Sequence, residues 1–309
     1  MIKLAALTIS SPEIGMGHLV RTTQLLSTLD SDKFSFKIYG ELKSIPHWID
    51  KFDYEIIQYD LFDYEVLNKY DLIIFDNYVN RDVLNKINKK KLLIDDLNFL
   101  GDSDVDVVLD YNYGSSLNLY PEDQILLSGP EYFPISKKSY PEFLDPNNRD
   151  SFDINGKILL SFGGVSDQNL INIENEINFF SNFGDVVLMD PMSKLSKYEG
   201  EVDLLINEKT LSEVFSTYQF KFCKLAGGTS KYIALAYLVP LLYVHRNNIE
   251  KTLIDSLYLD GLVLKQENLS LLRRESKLDN VLSTISQSYA EKFKFDGETL
   301  LNKELNFIL

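Results

Sequence analysis

A rhythm constrains this chain more than any single residue does. Short apolar runs recur at 2–9, 34–39, 71–75, 91–94, 105–109 and 125–127, each followed by a polar-apolar stretch at helical spacing. Leu72-Ile73-Ile74-Phe75 and Leu92-Leu93-Ile94 lack polar alternation, so both faces of each run need covering, as in a parallel sheet between helices. Near 137–156 the rhythm lapses into Lys-Lys-Ser-Tyr-Pro and Asp-Pro-Asn-Asn-Arg-Asp-Ser, which reads as a linker. It resumes at 157–161, 185–189, 202–206, 219–224, 240–244 and 261–264. The predicted fold class is therefore α/β, with two doubly wound, Rossmann-like domains built on parallel sheets, one over 1–148 and one over 149–309. Residues 285–309 read as one or two amphipathic helices, with Tyr289, Phe293, Leu300, Leu301 and Leu305 apolar, that pack back on the first domain. A chain of 309 residues, 45% of them hydrophobic, suffices for two cores.

Charge and cysteine content narrow the partners. With 31 basic and 46 acidic residues the net charge is −15, which disfavours nucleic acid and anionic membrane surfaces. No run approaches the roughly 18 apolar residues of a membrane span, and the first apolar run is too short for a signal peptide and is followed by a glycine-rich turn. Cys223 stands alone, and the three histidines, His18, His47 and His245, are scattered. That pattern offers no disulfide and no structural zinc spacing. The expectation is a cytoplasmic protein with no metal, no cofactor and no integral membrane association. The oligomeric state is not legible, and neither His47 nor His245 has motif context.

In sheets of this kind ligands bind beyond the carboxyl ends of the strands, so the expected site is an interdomain cleft and the residues closing each strand carry the information. After the first strand comes Glu13-Ile14-Gly15-Met16-Gly17-His18-Leu19-Val20-Arg21. Gly15 and Gly17 mark a tight turn whose amides can face a ligand at a helix N-terminus. The positive end of that helix disfavours an imidazolium, which suits His18 to taking a proton from water or a hydroxyl. Arg21, one turn on, can hold a phosphate or orient a carboxylate such as Glu13. The bland alternative is a glycine turn followed by a histidine with no role. Phe75-Asp76-Asn77-Tyr78 closes another strand. There Asp76 can orient His18 or a substrate hydroxyl and Tyr78 can bond a sugar or position water, or else Asp76 caps the next helix and Tyr78 packs. Asp95 and Asp96 close a third strand and read as supporting residues.

The second half carries two further glycine turns, Ser161-Phe162-Gly163-Gly164-Val165-Ser166-Asp167 and Ala226-Gly227-Gly228-Thr229-Ser230. Neither is a Walker loop, since no Gly-Lys-Ser/Thr ends it. Together they can clasp a diphosphate through backbone N–H groups, with hydroxyls from Thr229 and Ser230.

The ordered set Gly15-x-Gly17-His18-x-x-Arg21, Asp76-x-Tyr78, Ile94-Asp95-Asp96, Asp106-x-x-Leu109-Asp110-x-Asn112, Gly129-Pro130-x-Tyr132, Ser161-Phe162-Gly163-Gly164 and Ala226-Gly227-Gly228-Thr229-Ser230 resembles the UDP-2,4-diacetamido-2,4,6-trideoxy-β-L-altropyranose hydrolases of pseudaminic acid biosynthesis. The match runs from about residue 10 to 265. It implies a GT-B-like fold, related to the peptidoglycan N-acetylglucosaminyltransferase. It also implies a metal-independent reaction in which water attacks the anomeric carbon of a UDP-linked amino sugar and UDP leaves with inversion. Carried over, His18 is the base and Tyr78 its close partner. Gly15, Gly17, Arg21, Asp76, Asn247 and Asn248 then lie on the sugar side. Gly163, Gly164, Gly227, Gly228, Thr229 and Ser230 hold the nucleotide. Ile233 stands where the family usually carries a ribose-binding glutamate, and Ser136, beside Lys137 and Lys138, stands where it carries an arginine. The alternatives are a GT-B inverting glycosyltransferase, in which an acceptor hydroxyl replaces water, and a non-catalytic protein that binds nucleotide sugars.

Overall fold

Continuous burial on both faces is what makes the first run of strands parallel. In a computed structural model, which describes residues 1–11, 14–135, 151–162, 173–190, 195–206, 210–226, 228–245 and 247–309, the chain divides into two compact units. One comprises Met1–Ser139 with Phe295–Leu309, the other Tyr140–Lys294. The sheet of the first unit contains β1 (Ile2–Ser10), β2 (Phe34–Leu42), β3 (Tyr54–Ile56), β4 (Leu72–Asp76), β5 (Lys90–Ile94), β6 (Val107–Asp110) and β7 (Ile125–Ser128). Their order is β3-β2-β1-β4-β5-β6-β7 and every pairing is parallel. The winding reverses between β1 and β4, the switch point at which open α/β sheets leave a crevice. Thr8 pairs with Asp76 there, so the turn after β1 and the polar end of β4 share one edge.

Helix α1 (Gly17–Thr28) covers one face through Leu19, Leu25 and Leu26, all fully buried. The other face differs from the expected helices: the segments before and after β4 form 3-10 turns, Tyr64–Lys69 and Arg81–Lys86. Leu67, Val83, Leu84 and Ile87 do the covering there together with aromatic residues. The Phe62 ring lies 5.3 Å from that of Tyr39 and 5.2 Å from that of Tyr64, and the Tyr39 and Tyr70 hydroxyls meet at 2.9 Å.

The second unit repeats the plan with β8 (Phe152–Ser161), β9 (Val186–Met189), β10 (Leu204–Ile206), β11 (Phe220–Leu225), β12 (Leu241–Leu242) and β13 (Val263–Leu264). Their order, β10-β9-β8-β11-β12-β13, is again all parallel and reverses between β8 and β11. Around it lie α2 (Ile173–Phe180), α3 (Leu211–Thr217), α4 (Gly228–Ala236), α5 (Asn248–Leu259), α6 (Gln266–Arg274) and α7 (Leu278–Lys292). Helix α3 starts on a reciprocal Thr210–Glu213 cap. Ile158, Leu160, Ile177, Phe180 and Phe222 form the core with Leu278 and Leu282 of α7.

The last helix, α8 (Gly297–Ile308), belongs to the first unit. Asn302 ties it to the end of α1, donating to Thr28 O at 2.7 Å and accepting from Asp30 N at 2.8 Å. Gly297 begins it against the chain: a Cβ there would lie 2.7 Å from the Phe133 carbonyl carbon. Among the described residues no helix is long and apolar enough to cross a membrane.

Candidate active site

Three strand ends and one helix start converge at the first switch point. Ser11 and Gly15 bridge across the turn after β1, with Gly15 N donating to Ser11 O at 2.7 Å and φ of +86° at Gly15. That conformation favours glycine. The Gly15 amide is therefore spent inside the turn and is not open to a ligand, which corrects part of the expectation. Gly17 opens α1, whose first amides have no intrahelical acceptor.

His18 from the first turn of α1 and Arg21 from the second project onto Asp76. The His18 Nδ1 lies 2.5 Å from Asp76 Oδ1. A carboxylate can only accept, so Nδ1 carries a proton, and in the neutral ring the lone pair is therefore at Nε2. Arg21 grips the same carboxylate with two parallel bonds, Nε to Oδ2 at 2.7 Å and Nη2 to Oδ1 at 2.6 Å. Its third arm, Nη1, donates to Asp96 Oδ2 at 2.7 Å. Thr22 Oγ1 adds a longer bond to Asp76 at 3.3 Å. Arg21 therefore orients carboxylates, and Glu13 lies outside the described residues.

The network is dry. His18 is 6% exposed, Arg21 7% and Asp76 fully buried. Burial opposes the charge of Arg21, but Asp76 and Asp96 outweigh it and hold the guanidinium protonated well above its ordinary range. Burial likewise pushes the Asp76 carboxyl up, yet the charges and hydrogen bonds of Arg21 and His18 prevail and hold it below its usual value. Tyr78, half-buried, stands edge-on to the His18 ring with centroids 4.3 Å apart, and the Arg21 guanidinium lies 5.4 Å from the centre of the Tyr78 ring. The imidazole is thus more enclosed than a residue facing an open crevice: Tyr78 covers it, and one ring nitrogen is tied down. Asn77, not Asp76, serves the next turn, through Val79 N to Asn77 Oδ1 at 2.8 Å.

Beyond Asp96 the chain of bonds continues to residues for which sequence reasoning assigned no role. Asn112 Nδ2 donates to Asp96 Oδ1 at 2.9 Å and to Asp110 Oδ1 at 2.7 Å. Asp110 Oδ2 accepts from Tyr120 Oη at 2.8 Å and from Leu97 N at 3.0 Å. Burial first, then the charge of Asp96, push the Asp110 carboxyl up to about 6 against the hydrogen bonds of Tyr120 and Asn112. The signal that finds this group is the apolar run of β6 closing in Asp110, the pattern already read at Asp76. Asp95 forms a separate ion pair with Arg81.

A cavity of about 290 Å³ adjoins the same turn, lined by Ile9, Ser11, Ile14, Glu41, Lys43, Asp60, Val79 and Asn80.

In the second unit, Gly228, Thr229 and Ser230 start α4 directly after β11, at that unit's switch point, and Ala226 N bonds Ser161 O at 2.9 Å. Gly163, Gly164 and Gly227 lie outside the described residues, as do Ser136, Lys137 and Lys138. Ile233 is buried in α4. Asn247 caps α5, accepting from Glu250 N at 2.8 Å, and Asn248 is the exposed first residue of that helix.

No protein-family model matches the chain, and no curated protein matches it in sequence. Solved structures do match in fold. UGT2 of Phytolacca americana, complexed with UDP-2-fluoro-glucose and pterostilbene, superposes with a TM-score of 0.63 at 10% identity over 100% of this chain and 99% of its own. The glycosyltransferase SnogD from Streptomyces nogalater gives 0.60 at 12% identity over 100% of both chains. MurG of Acinetobacter baumannii gives 0.62 at 9% identity over 98% of this chain and 99% of its own. The fold is that of the GT-B glycosyltransferases. These matches correct the expected membership in the pseudaminic acid hydrolases and, with it, water as the acceptor. The physical reason is that the motifs carrying that resemblance are glycines and carboxylates at the switch points of two parallel sheets. They mark where ligands bind in such sheets and carry no information on which hydroxyl attacks.

Proposed function

We propose that the protein is an inverting glycosyltransferase that uses a UDP-sugar donor, with His18 as the general base. The His18–Asp76 pair carries this reading. Asp76 fixes the tautomer and orientation of the ring, and Nε2 is left to take the proton of an acceptor hydroxyl. The oxygen then bonds to the anomeric carbon as the bond from that carbon to the diphosphate oxygen breaks, and UDP departs with the electron pair. A single displacement of this kind inverts the configuration. The donor's diphosphate is assigned to the glycine turns after β8 and β11, where main-chain N–H groups and the Thr229 and Ser230 hydroxyls can stabilise the charge that develops on the leaving group. The acceptor is assigned to the cavity beside the Ser11–Gly15 turn. Fold likeness to enzymes that carry UDP or UDP-sugar supports the donor class.

Incubation with a set of UDP-sugars and with phenolic, saccharide and polyprenol acceptors, read by mass spectrometry, tests this. A glycosylated acceptor with β-configuration from an α-linked donor is the expected product. Retention of configuration, or products formed equally well by His18→Gln, would remove the histidine from the reaction.

A further inference from the structure

We propose that Asn112, together with the Asp110–Tyr120 pair, positions the His18–Asp76 dyad through Arg21. The inference rests on the reading of His18 as the base and adds a set of positioning residues that do not themselves touch the reacting groups.

The bonds form one unbroken path across the carboxyl ends of β4, β5 and β6. Asp76 holds His18; Arg21 holds Asp76; Asp96 holds the free arm of Arg21. Apart from Arg21, a single side-chain amide holds the Asp96 carboxylate. Asn112 Nδ2 spans two buried carboxylates, Asp96 and Asp110, which would otherwise face each other unscreened. Its own Oδ1, though buried, has no hydrogen-bond partner among the described residues. The side chain therefore sits where its two N–H bonds are needed, at the expense of its carbonyl. Flipping it would turn an oxygen onto two carboxylates.

The segment after β5 is set from the same place. Leu97 and Asn98 both adopt left-handed backbone, with φ of 55° and 52°, a conformation that strains leucine in particular. Their amides point at the pair that holds them there, Leu97 N to Asp110 Oδ2 at 3.0 Å and Asn98 N to Tyr120 Oη at 3.0 Å. Asp96 immediately precedes this strained pair. Its carboxylate is thus fixed from the side chain by Asn112 and from the backbone by Asp110 and Tyr120. A path this dry, with Asp96, Asp110 and Asn112 each 4% exposed or less, has little room to relax when one link is removed.

Imidazole proton NMR of the full chain tests this independently of turnover. There are only three histidines, and His18→Gln identifies the His18 Nδ1–H resonance by its loss. In Tyr120→Phe, which removes one hydroxyl, and in the near-isosteric Asn112→Asp, that resonance is expected to move upfield or broaden away. The kcat of transfer is expected to fall about tenfold with KM for the donor within about twofold, and more for Asn112→Asp than for Tyr120→Phe. An unchanged Nδ1–H resonance in folded Tyr120→Phe would overturn the inference, as would the absence of any His18 Nδ1–H signal in the wild type. Should Asn112→Asp fail to fold, Tyr120→Phe decides. A resonance that shifts in a protein that transfers no sugar would sustain the positioning role and remove the proposed function instead.

Discussion

At the scale of single residues, His18 and Asp76 share one hydrogen bond but have unequal duties, and substitutions separate them. His18→Gln removes the lone pair at Nε2 and is expected to lower turnover by about 10²- to 10⁴-fold with little loss of stability. Asp76→Asn removes the charge that faces Arg21 in a dry site. It is expected to destabilise the fold by about 3–5 kcal/mol in addition to lowering turnover. Thermal unfolding beside initial rates distinguishes the two patterns; equal stability losses would place Arg21 on other partners. The carboxylates also differ in pH dependence. Asp76, held below its usual value, contributes stability above its unfolded value near 4, and that stability is lost as pH falls through its lower folded value. Asp110 runs the other way. With its folded value raised from 3.8 to about 6, the native state binds the proton more tightly. Its contribution therefore declines as pH rises from about 4 to 6, by about 3 kcal/mol. The stability of the wild type relative to Asp110→Asn should fall across that window and level off above it. A flat difference would show that the donors around Asp110, Tyr120 Oη, Leu97 N and the side-chain and backbone amides of Asn112, cancel its burial.

At the scale of elements, α8 completes a unit whose other described residues come from the start of the chain, and its fit is set by one glycine. Gly297→Ala gains helix propensity, up to about 1 kcal/mol, but forces a Cβ into the Phe133 carbonyl. Overpacking of this sort costs about 1–3 kcal/mol, so the net effect should be a lower Tm and faster proteolysis near residue 297. An unchanged Tm would mean that the turn at Tyr132–Phe133 yields freely. The elements also show what could be read in advance. Leu72–Phe75 and Leu92–Ile94 announce strands because an uninterrupted apolar run has no other stable use at that length, and Asp76 is legible as the polar group that ends one. β3 was not legible: Tyr54–Ile56 is three residues at an edge, with Glu55 and Ile56 exposed, and carries no burial pattern. Nor was the Arg21–Asp96 bond, which joins residues 75 positions apart. It depends on β5 lying next to β4 and β4 next to β1, an order that periodicity along the chain does not encode. The 3-10 turns flanking β4 stand where the polar-apolar spacing predicts helices, because buried aliphatic residues such as Leu67 in the first and Val83 and Leu84 in the second recur at intervals a helix also uses.

At the scale of the whole molecule, two sheets that share one strand order, apart from a seventh strand at the edge of the first, offer two switch points with different chemistry. The first is lined by a histidine and buried carboxylates, the second, among the described residues, by Gly228, the Thr229 and Ser230 hydroxyls and a helix start. The proposed function assigns the nucleoside diphosphate to the second, so UDP should slow hydrogen exchange at residues 161–162 and 226–233 and leave the Asp76–Asn112 network unchanged. At a hundred times its Kd it should add about 2.7 kcal/mol to the stability of whatever unfolds with that unit. Protection confined to residues 14–21 would put the nucleotide in the wrong unit. The acceptor, by contrast, left no mark in the strand-end motifs, and water as the nucleophile came only with the family resemblance those motifs carry. The most direct measurement is therefore a stoichiometry: UDP released against acceptor glycosylated, with and without acceptor, in the wild type and in His18→Gln. One glycosylated acceptor per UDP, release that depends on the acceptor, and loss of both in His18→Gln are the predicted result. UDP released at the same rate without acceptor, with free sugar accumulating, would contradict it.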